Sequence, residues 1–379
     1  MNDQTSPRTI ILRGAGLVVL LGAVLLAIEL LVPGAGRRLD AADPAWLAIA
    51  VVLEGVALAG SVVLFHATFG RRPHGLTLRR SAEIALGELA GFALVPTGAG
   101  GPAVRLWALR GGGMPWRDIG VRSVVHGVLF NIPYLAAAIA LGLGAVAGVL
   151  PGTVSTLVAL APLGVVLVSV LGVLAAMALR RSRRLEGSQR WKFITRETLA
   201  VVPDGLRELP WFARHPLGPL GALAYWAGDC AVLWATFQAC GGAPAIGIVA
   251  LAYMLGQLGN LLPLPGGVGG VEPLMLGIFV ASGVDAGLAG AAIICYRAIA
   301  LGMQSLAGVA SVAALVPAVR RERSARTLAR GPARPVAAEL TVGSADFRSA
   351  RQRTVKAARA LWTYRRRLPS PGGCTCPTA

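Results

Sequence analysis

The chain has 379 residues, 55% hydrophobic and only 14% charged, with a mean hydropathy of +0.65. Soluble domains carry nearer a quarter charged residues, which argues against a soluble enzyme. Lys and Arg number 36 against 18 acidic residues, a net charge of +18; so apolar a chain has too little polar surface for a nucleic-acid binder, and a membrane protein accounts for both facts. Five cysteines show no framework spacing, and Cys230, Cys240 and Cys295 lie in apolar stretches, so no structural disulfide is expected.

Crossing a hydrocarbon layer of roughly 30 Å takes about 20 apolar residues in a helix. Six runs qualify as full spans: residues 10–32, 45–69, 121–150, 153–179, 217–240 and 287–316. The first lacks a small-residue cleavage site and reads as a retained helix instead of a signal peptide. Basic residues gather at Arg71, Arg72, Arg79 and Arg80, at Arg110, Arg117 and Arg122, between Arg180 and Arg196, and after Val316. These positions are expected to be cytoplasmic, which puts both termini on that side of the cell membrane. Only Arg37 and Arg38 dissent, offset by Asp40 and Asp43.

Two further apolar stretches, 81–109 and 243–283, are each interrupted by proline and a glycine cluster. Aligned without gaps, 86–101 (LGELAGFALVPTGAGG) and 255–270 (LGQLGNLLPLPGGVGG) agree at Leu86, Gly87, Leu89, Pro96, Gly98, Gly100 and Gly101 and their partners. About one or two matches would arise by chance in so biased a composition, so the segments read as an internal repeat. The first is reached from the cytoplasm and the second from outside, so the copies point in opposite directions. The expected fold is therefore an all-α integral membrane protein with six full spans plus two broken re-entrant helical hairpins, arranged as two inverted-topology repeats. Repeat one covers about 10–150 and repeat two about 153–316, within a polytopic domain of 1–317. The alternative is an ordinary bundle whose glycine-rich segments serve helix packing.

In each break a proline (Pro102, Pro273) follows the glycines and suits the first turn of a new helix. A helix starting inside the membrane presents unpaired N–H groups and a positive dipole end, which makes Gly98, Gly100 and Gly101, with Gly267, Gly269 and Gly270, a candidate backbone anion site. Ionisable residues in apolar spans are functional candidates. Glu88, Asp229, Glu272 and Arg297 lead as substrate-binding residues. Arg105 either holds a phosphate or snorkels to the cytoplasm, and Gln257 and Asn260 either line a polar cavity or bond between helices. Glu54 and His126 could relay protons, but a histidine near a helix start is more often a satisfied residue; neither is assigned a role. No HExxH, Walker or GxSxG pattern occurs, so no catalytic, cofactor or metal site is expected.

The segments 180–216 and 318–379 are charged and contain proline, and the second holds 14 basic residues against 3 acidic ones. Within this basic cytoplasmic tail, Phe347, Ala350, Thr354, Ala358 and Leu361 recur at helical spacing, so the tail either lays a helix on anionic lipid headgroups or stays unfolded. Cys374 and Cys376 carry no assignable signal.

The string Leu262-Pro-Leu-Pro-Gly-Gly-Val-Gly-Gly-Val-Glu272, with Pro96-Thr-Gly-Ala-Gly-Gly-Pro-Ala-Val-Arg105 and Tyr296-Arg297, resembles the transmembrane region of bacterial lysylphosphatidylglycerol synthases and related flippase-like proteins that lack an attached synthase. The likeness runs from about 10 to 317. It implies movement of an anionic or aminoacylated phospholipid, or another lipid-linked headgroup, between leaflets, with a synthase as a possible separate partner. The aminoacyl transfer belongs to a soluble domain for which no stretch here is long enough. The chain departs from the family pattern at Val271, where members often carry arginine, leaving Glu272 without that neighbour. An ion-coupled transporter of a small solute or of a polyprenyl-phosphate carrier, and a membrane enzyme acting on a lipid-linked substrate, are the alternatives.

Overall fold

The computed structural model describes residues 35–71, 75–95, 100–149, 189–262 and 264–329, with scattered positions between 156 and 174. All regular structure among them is helical. A short helix α1 (Ala35–Asp40) leads into α2 (Pro44–Phe69), which starts where Asp43 accepts a bond from the Ala45 N–H at 2.8 Å and Pro44 takes the first helical position. Then come α3 (Leu78–Leu94), capped by Thr77, α4 (Gly100–Gly111) and α5 (Trp116–Val146). After α6 (Gln189–Arg214) the chain continues through α7 (Leu217–Ala239), α8 (Ile246–Gly256), two 3₁₀ turns (Gln257–Leu261 and Pro265–Gly267), α9 (Val271–Ala281) and α10 (Ala286–Ala329).

Four helices, α2, α5, α7 and α10, are long and apolar enough to cross a membrane. They coincide with four of the six runs read from the sequence; the other two, 10–32 and 153–179, fall outside the described residues apart from the scattered helical positions. Exposed Val52, Leu167, Leu223 and Leu306 give the bundle the apolar exterior that lipid, not water, tolerates. Both interrupted stretches are broken helices, α3/α4 and α8/α9. The helices α2, α3, α4 and α5 start at residues 44, 78, 100 and 116, and α7, α8, α9 and α10 at 217, 246, 271 and 286, so a long helix, a broken pair and a second long helix follow one another twice, at similar but unequal spacings.

The helix pair α2 and α7 packs through backbone. A Cβ on Gly60 would lie 2.6 Å from the Tyr225 nitrogen, one on Gly221 2.6 Å from the Leu64 nitrogen, and one on Gly228 3.1 Å from Ala57. Descending from 64 to 57 thus ascends the partner from 221 to 228, and the two helices run antiparallel. Each broken hairpin closes in the same manner: a Cβ on Gly91 would meet the Gly100 carbonyl at 2.6 Å, and one on Gly270 the Gly259 carbonyl at 2.7 Å.

One end of the bundle gathers the basic residues. Arg122 donates to the carbonyl of Thr68 at 3.1 Å, and Arg80 pairs with Glu322 at 3.5 Å. At another point Arg38 meets Asp285 at 3.3 Å, and the Asp43 N–H donates to the Ala239 carbonyl at 2.9 Å.

Two boundaries differ from the sequence reading. The charged segment 180–216 contains a 26-residue helix, α6, whose two prolines leave it intact; Gly205 sits against Val124, Val201 against Gly120, and Asp204 pairs with Arg117 at 2.7 Å. Arg71 covers the Trp211 ring at 3.2 Å from its centroid. An amphipathic stripe seated on α5, interrupted by charges too closely spaced for a span, explains why hydropathy alone misses it. Likewise α10 continues through Pro317 to Ala329, beyond the boundary placed at 317, while the basic residues of 330–379 and the helical spacing from Phe347 to Leu361 lie outside the described residues.

Candidate functional site

A cavity of about 280 Å³ opens between the two broken hairpins and the long helices. α2 supplies Phe65 to its wall, the first hairpin Glu88, Gly101 and Arg105, α5 His126, Phe130 and Asn131, and α7 Tyr225, Trp226 and Asp229. The second hairpin contributes Gln257, Asn260 and Gly266, and α10 Tyr296, Arg297 and Gln304. Residues 170 positions apart and more are thereby brought to one space.

In the first hairpin Glu88 and Arg105 form a two-pronged ion pair. Arg105 Nε donates to Glu88 Oε2 at 2.9 Å and its Nη2 donates to the other oxygen. The two lie 17 residues apart on opposite limbs, and the pair forms because Gly101 lets α4 approach α3: a Cβ there would stand 2.9 Å from the Glu88 carbonyl. His126 faces the same space, its Nδ1 at 3.2 Å from Thr68 Oγ1 and its ring against Phe65 and Phe69.

In the second hairpin Glu272, in the first turn of α9, accepts from the Gly269 N–H at 2.7 Å and from Arg297 Nε at 2.6 Å. A carboxylate there opposes the positive end of the helix. Arg297 also donates to the Gly266 carbonyl at 2.7 Å. Glu272 and Arg297 are both essentially buried, so each charge needs the other. The pairing comes from α10, 25 residues downstream, and supplies the cation that Val271 does not.

A polar chain runs from this hairpin into the bundle. Asn260 donates to Gln257 Oε1 at 2.6 Å, Gln257 Nε2 reaches the Tyr296 hydroxyl at 3.3 Å, and Tyr296 donates to Asp229 Oδ2 at 3.0 Å. Tyr253 donates to that same oxygen at 2.5 Å. Behind Asp229 stands Glu54, fully buried on α2, with Gln304 Nε2 donating to its Oε1 at 3.1 Å. The antiparallel contact that sets Ala57 against Gly228 puts Glu54 and Asp229 on facing turns of α2 and α7, and each carboxyl keeps one buried oxygen without a hydrogen-bond partner.

The candidate residues therefore fall into three groups. Glu88, Arg105, Asp229, Gln257, Asn260, Arg297 and Gly101 line the cavity, while Glu272 stands behind Arg297. Gly98 lies outside the described residues, and Gly100 packs on Gly91. Of the second glycine set, Gly267, Gly269 and Gly270 are not in the cavity wall, and the Gly269 N–H is occupied by the protein's own carboxylate. A phosphate reaching either arginine has to compete with a carboxylate already bonded to it. Glu54, Tyr253, Tyr296, Gln304 and Trp226 were not singled out as site residues by the sequence. Two of them carried a signal: Tyr296 stands beside Arg297 in a family-like pair, and Glu54 is an acid deep in a span, but the partners of Glu54 sit on helices far away in the chain.

The family model described as "Lysylphosphatidylglycerol synthase TM region" matches residues 12–308. A search of the curated proteins returns no match. The matched span takes in both broken hairpins, the cavity they border and every charged residue in its wall; this chain belongs to the family of the lysylphosphatidylglycerol synthase transmembrane region, as a multi-pass membrane protein.

Proposed function

We propose that the protein moves a lipid headgroup, anionic or aminoacylated, between the leaflets of the cell membrane, with the headgroup in the cavity and the acyl chains left in the bilayer. The observation that carries this reading is a charge-bearing cavity of about 280 Å³ walled by both broken hairpins in an otherwise apolar bundle. That volume approaches the range of small-ligand sites, roughly 300–1,000 Å³, and holds a headgroup but not its chains. Membership in a lipid-handling membrane family supports it.

The halves act as inverted copies in this reading. The recurring element order and the antiparallel crossing of α2 and α7 support that relation, as does the need for irregular backbone at depth to border a cavity. Transport is proposed in preference to catalysis, and the basic end of the bundle, with both termini, is assigned to the cytoplasm. A separate synthase and anionic lipid at the tail are its proposed partners.

The test is reconstitution into liposomes carrying fluorescently labelled phosphatidylglycerol or its lysyl ester. Protein-bearing vesicles are expected to exchange the label between leaflets faster than empty ones, and Arg105→Ala or Asp229→Asn is expected to slow it. Equal rates with and without protein for both lipids overturn the proposal.

A further inference from the structure

Six carboxyl and guanidinium groups border the cavity or bond directly to its wall: Glu54, Glu88, Asp229 and Glu272 against Arg105 and Arg297. The two arginines are matched by Glu88 and Glu272. Glu54 and Asp229 remain, buried to 0% and 3% exposure, with no cation bonded to either among the described residues. Glu54 Oε2 and Asp229 Oδ1 are moreover buried without a hydrogen-bond partner, on turns of α2 and α7 that face each other where Ala57 meets Gly228. Two ionised carboxylates cannot share so dry a place, whereas one proton between them satisfies both orphaned oxygens.

The surroundings fit that single charge. On α7, Tyr225 and Cys230 flank Asp229; from α8 comes the Tyr253 hydroxyl; from α10 come Tyr296, Gln304 and, already paired, Arg297. Hydrogen bonds from two tyrosines and a glutamine suit one carboxylate next to one acid. Asp229 lines the cavity and Glu54 does not, so a proton on the pair leaves by way of Asp229. Phe65, Phe130, Tyr225 and Trp226 bring aromatic rings to the same wall, and aromatic rings attract an ammonium group.

We propose that Glu54 and Asp229 bind one exchangeable proton that is released to the cavity when a cationic headgroup enters beside Asp229. Charge balances in the exchange: the O–H bond of the acid breaks, the proton leaves to water, the pair gains one negative charge, and the incoming ammonium supplies one positive charge in its place. The inference builds on the reading of the cavity as the transport site and gives it an energy source, since a proton gradient across the membrane would then drive a cationic headgroup the opposite way.

The experiment needs no transport. Full-length protein in detergent, in weakly buffered solution with a pH dye, is titrated with dodecyltrimethylammonium chloride, whose fixed charge cannot itself release a proton. Infrared difference spectra follow the carboxylic-acid carbonyl band. About one proton per bound probe and loss of that band are expected in the wild type, and both signals vanish in Glu54→Gln and in Asp229→Asn. Binding of the probe by the wild type without proton release, or release of equal size in either variant, overturns the proposal. If the variants do not fold, the wild-type band alone decides: its absence before titration, or its persistence at saturation, is fatal. Failure of the liposome assay with intact proton release removes the flippase reading and leaves the site.

Discussion

Arg297, in the first third of α10, fastens that helix to the second break and to the helix that follows it. Its Nε donates to Glu272 Oε1 at 2.6 Å beyond the break, and its Nη2 to the Gly266 carbonyl at 2.7 Å within it. One guanidinium thereby holds a returning helix and an irregular loop in register with a long transmembrane helix.

Removing either partner strands the other charge in the interior. Arg297→Ala and Glu272→Gln are each expected to destabilise the protein by about 3–5 kcal/mol, read as loss of monodisperse protein on heating in detergent. The double replacement Glu272→Gln with Arg297→Gln should cost less than the sum of the two, because their energies are coupled.

The antiparallel contact of α2 with α7 depends on absent side chains. Gly60→Val and Gly221→Leu drive carbon into opposing backbone at 2.6 Å and should cost about 1–3 kcal/mol each. Gly55→Ala, on the same helix with nothing within 4 Å, should stay within about 0.5 kcal/mol of wild type. Size-exclusion profiles of fluorescently tagged variants after a heating series separate the two classes.

Gly266 occupies the left-handed region at φ 57° and ψ 17°. Gly266→Ala is expected to cost about 1–2 kcal/mol, and Gly266→Asn less, since asparagine tolerates that conformation. Thermal midpoints in detergent should rank wild type above Asn above Ala.

Arg105 holds Glu88 through two nitrogens, a fork that lysine does not possess. Arg105→Lys should therefore slow leaflet exchange by about tenfold, matching the loss of one charge-assisted bond. Unchanged exchange would show that the pair is only a clasp between α3 and α4.

A cavity that admits water leaves its wall open to polar reagents. In a background lacking native cysteines, Asn131→Cys, in the cavity wall, is expected to react with a hydrophilic maleimide, whereas Ala252→Cys, fully buried, is not. Equal protection at both positions would mark the space as closed to solvent.

Much of the scaffold could be read from the chain because hydrophobic runs and breakers act locally. Residues 45–69 and 217–240 read as spans and form helices of nearly those bounds, and the glycine–proline strings mark where α3/α4 and α8/α9 break. The helix α6 escaped because its apolar stripe is discontinuous in sequence and acquires meaning only against Val121 and Val124 of α5. Among the charged residues, identity was legible but partnership was not. Glu272 lacked a neighbouring cation in the sequence and found one on α10; Glu54 looked like a solitary acid and lies on the turn of α2 that faces Asp229 of α7.

The sequence by itself determined that the chain is a membrane protein, where four of its crossings run, and where two helices must interrupt, since each follows from the free energy of a residue's own surroundings in lipid. Only the tertiary structure decided which carboxylate meets which guanidinium and which two carboxyls, among the described residues, have no guanidinium bonded to them. Those outcomes depend on helix rotation and on backbone approach through Gly60, Gly101 and Gly221, and a side chain's electrostatic partner is fixed by distances of a few ångströms that no linear spacing encodes.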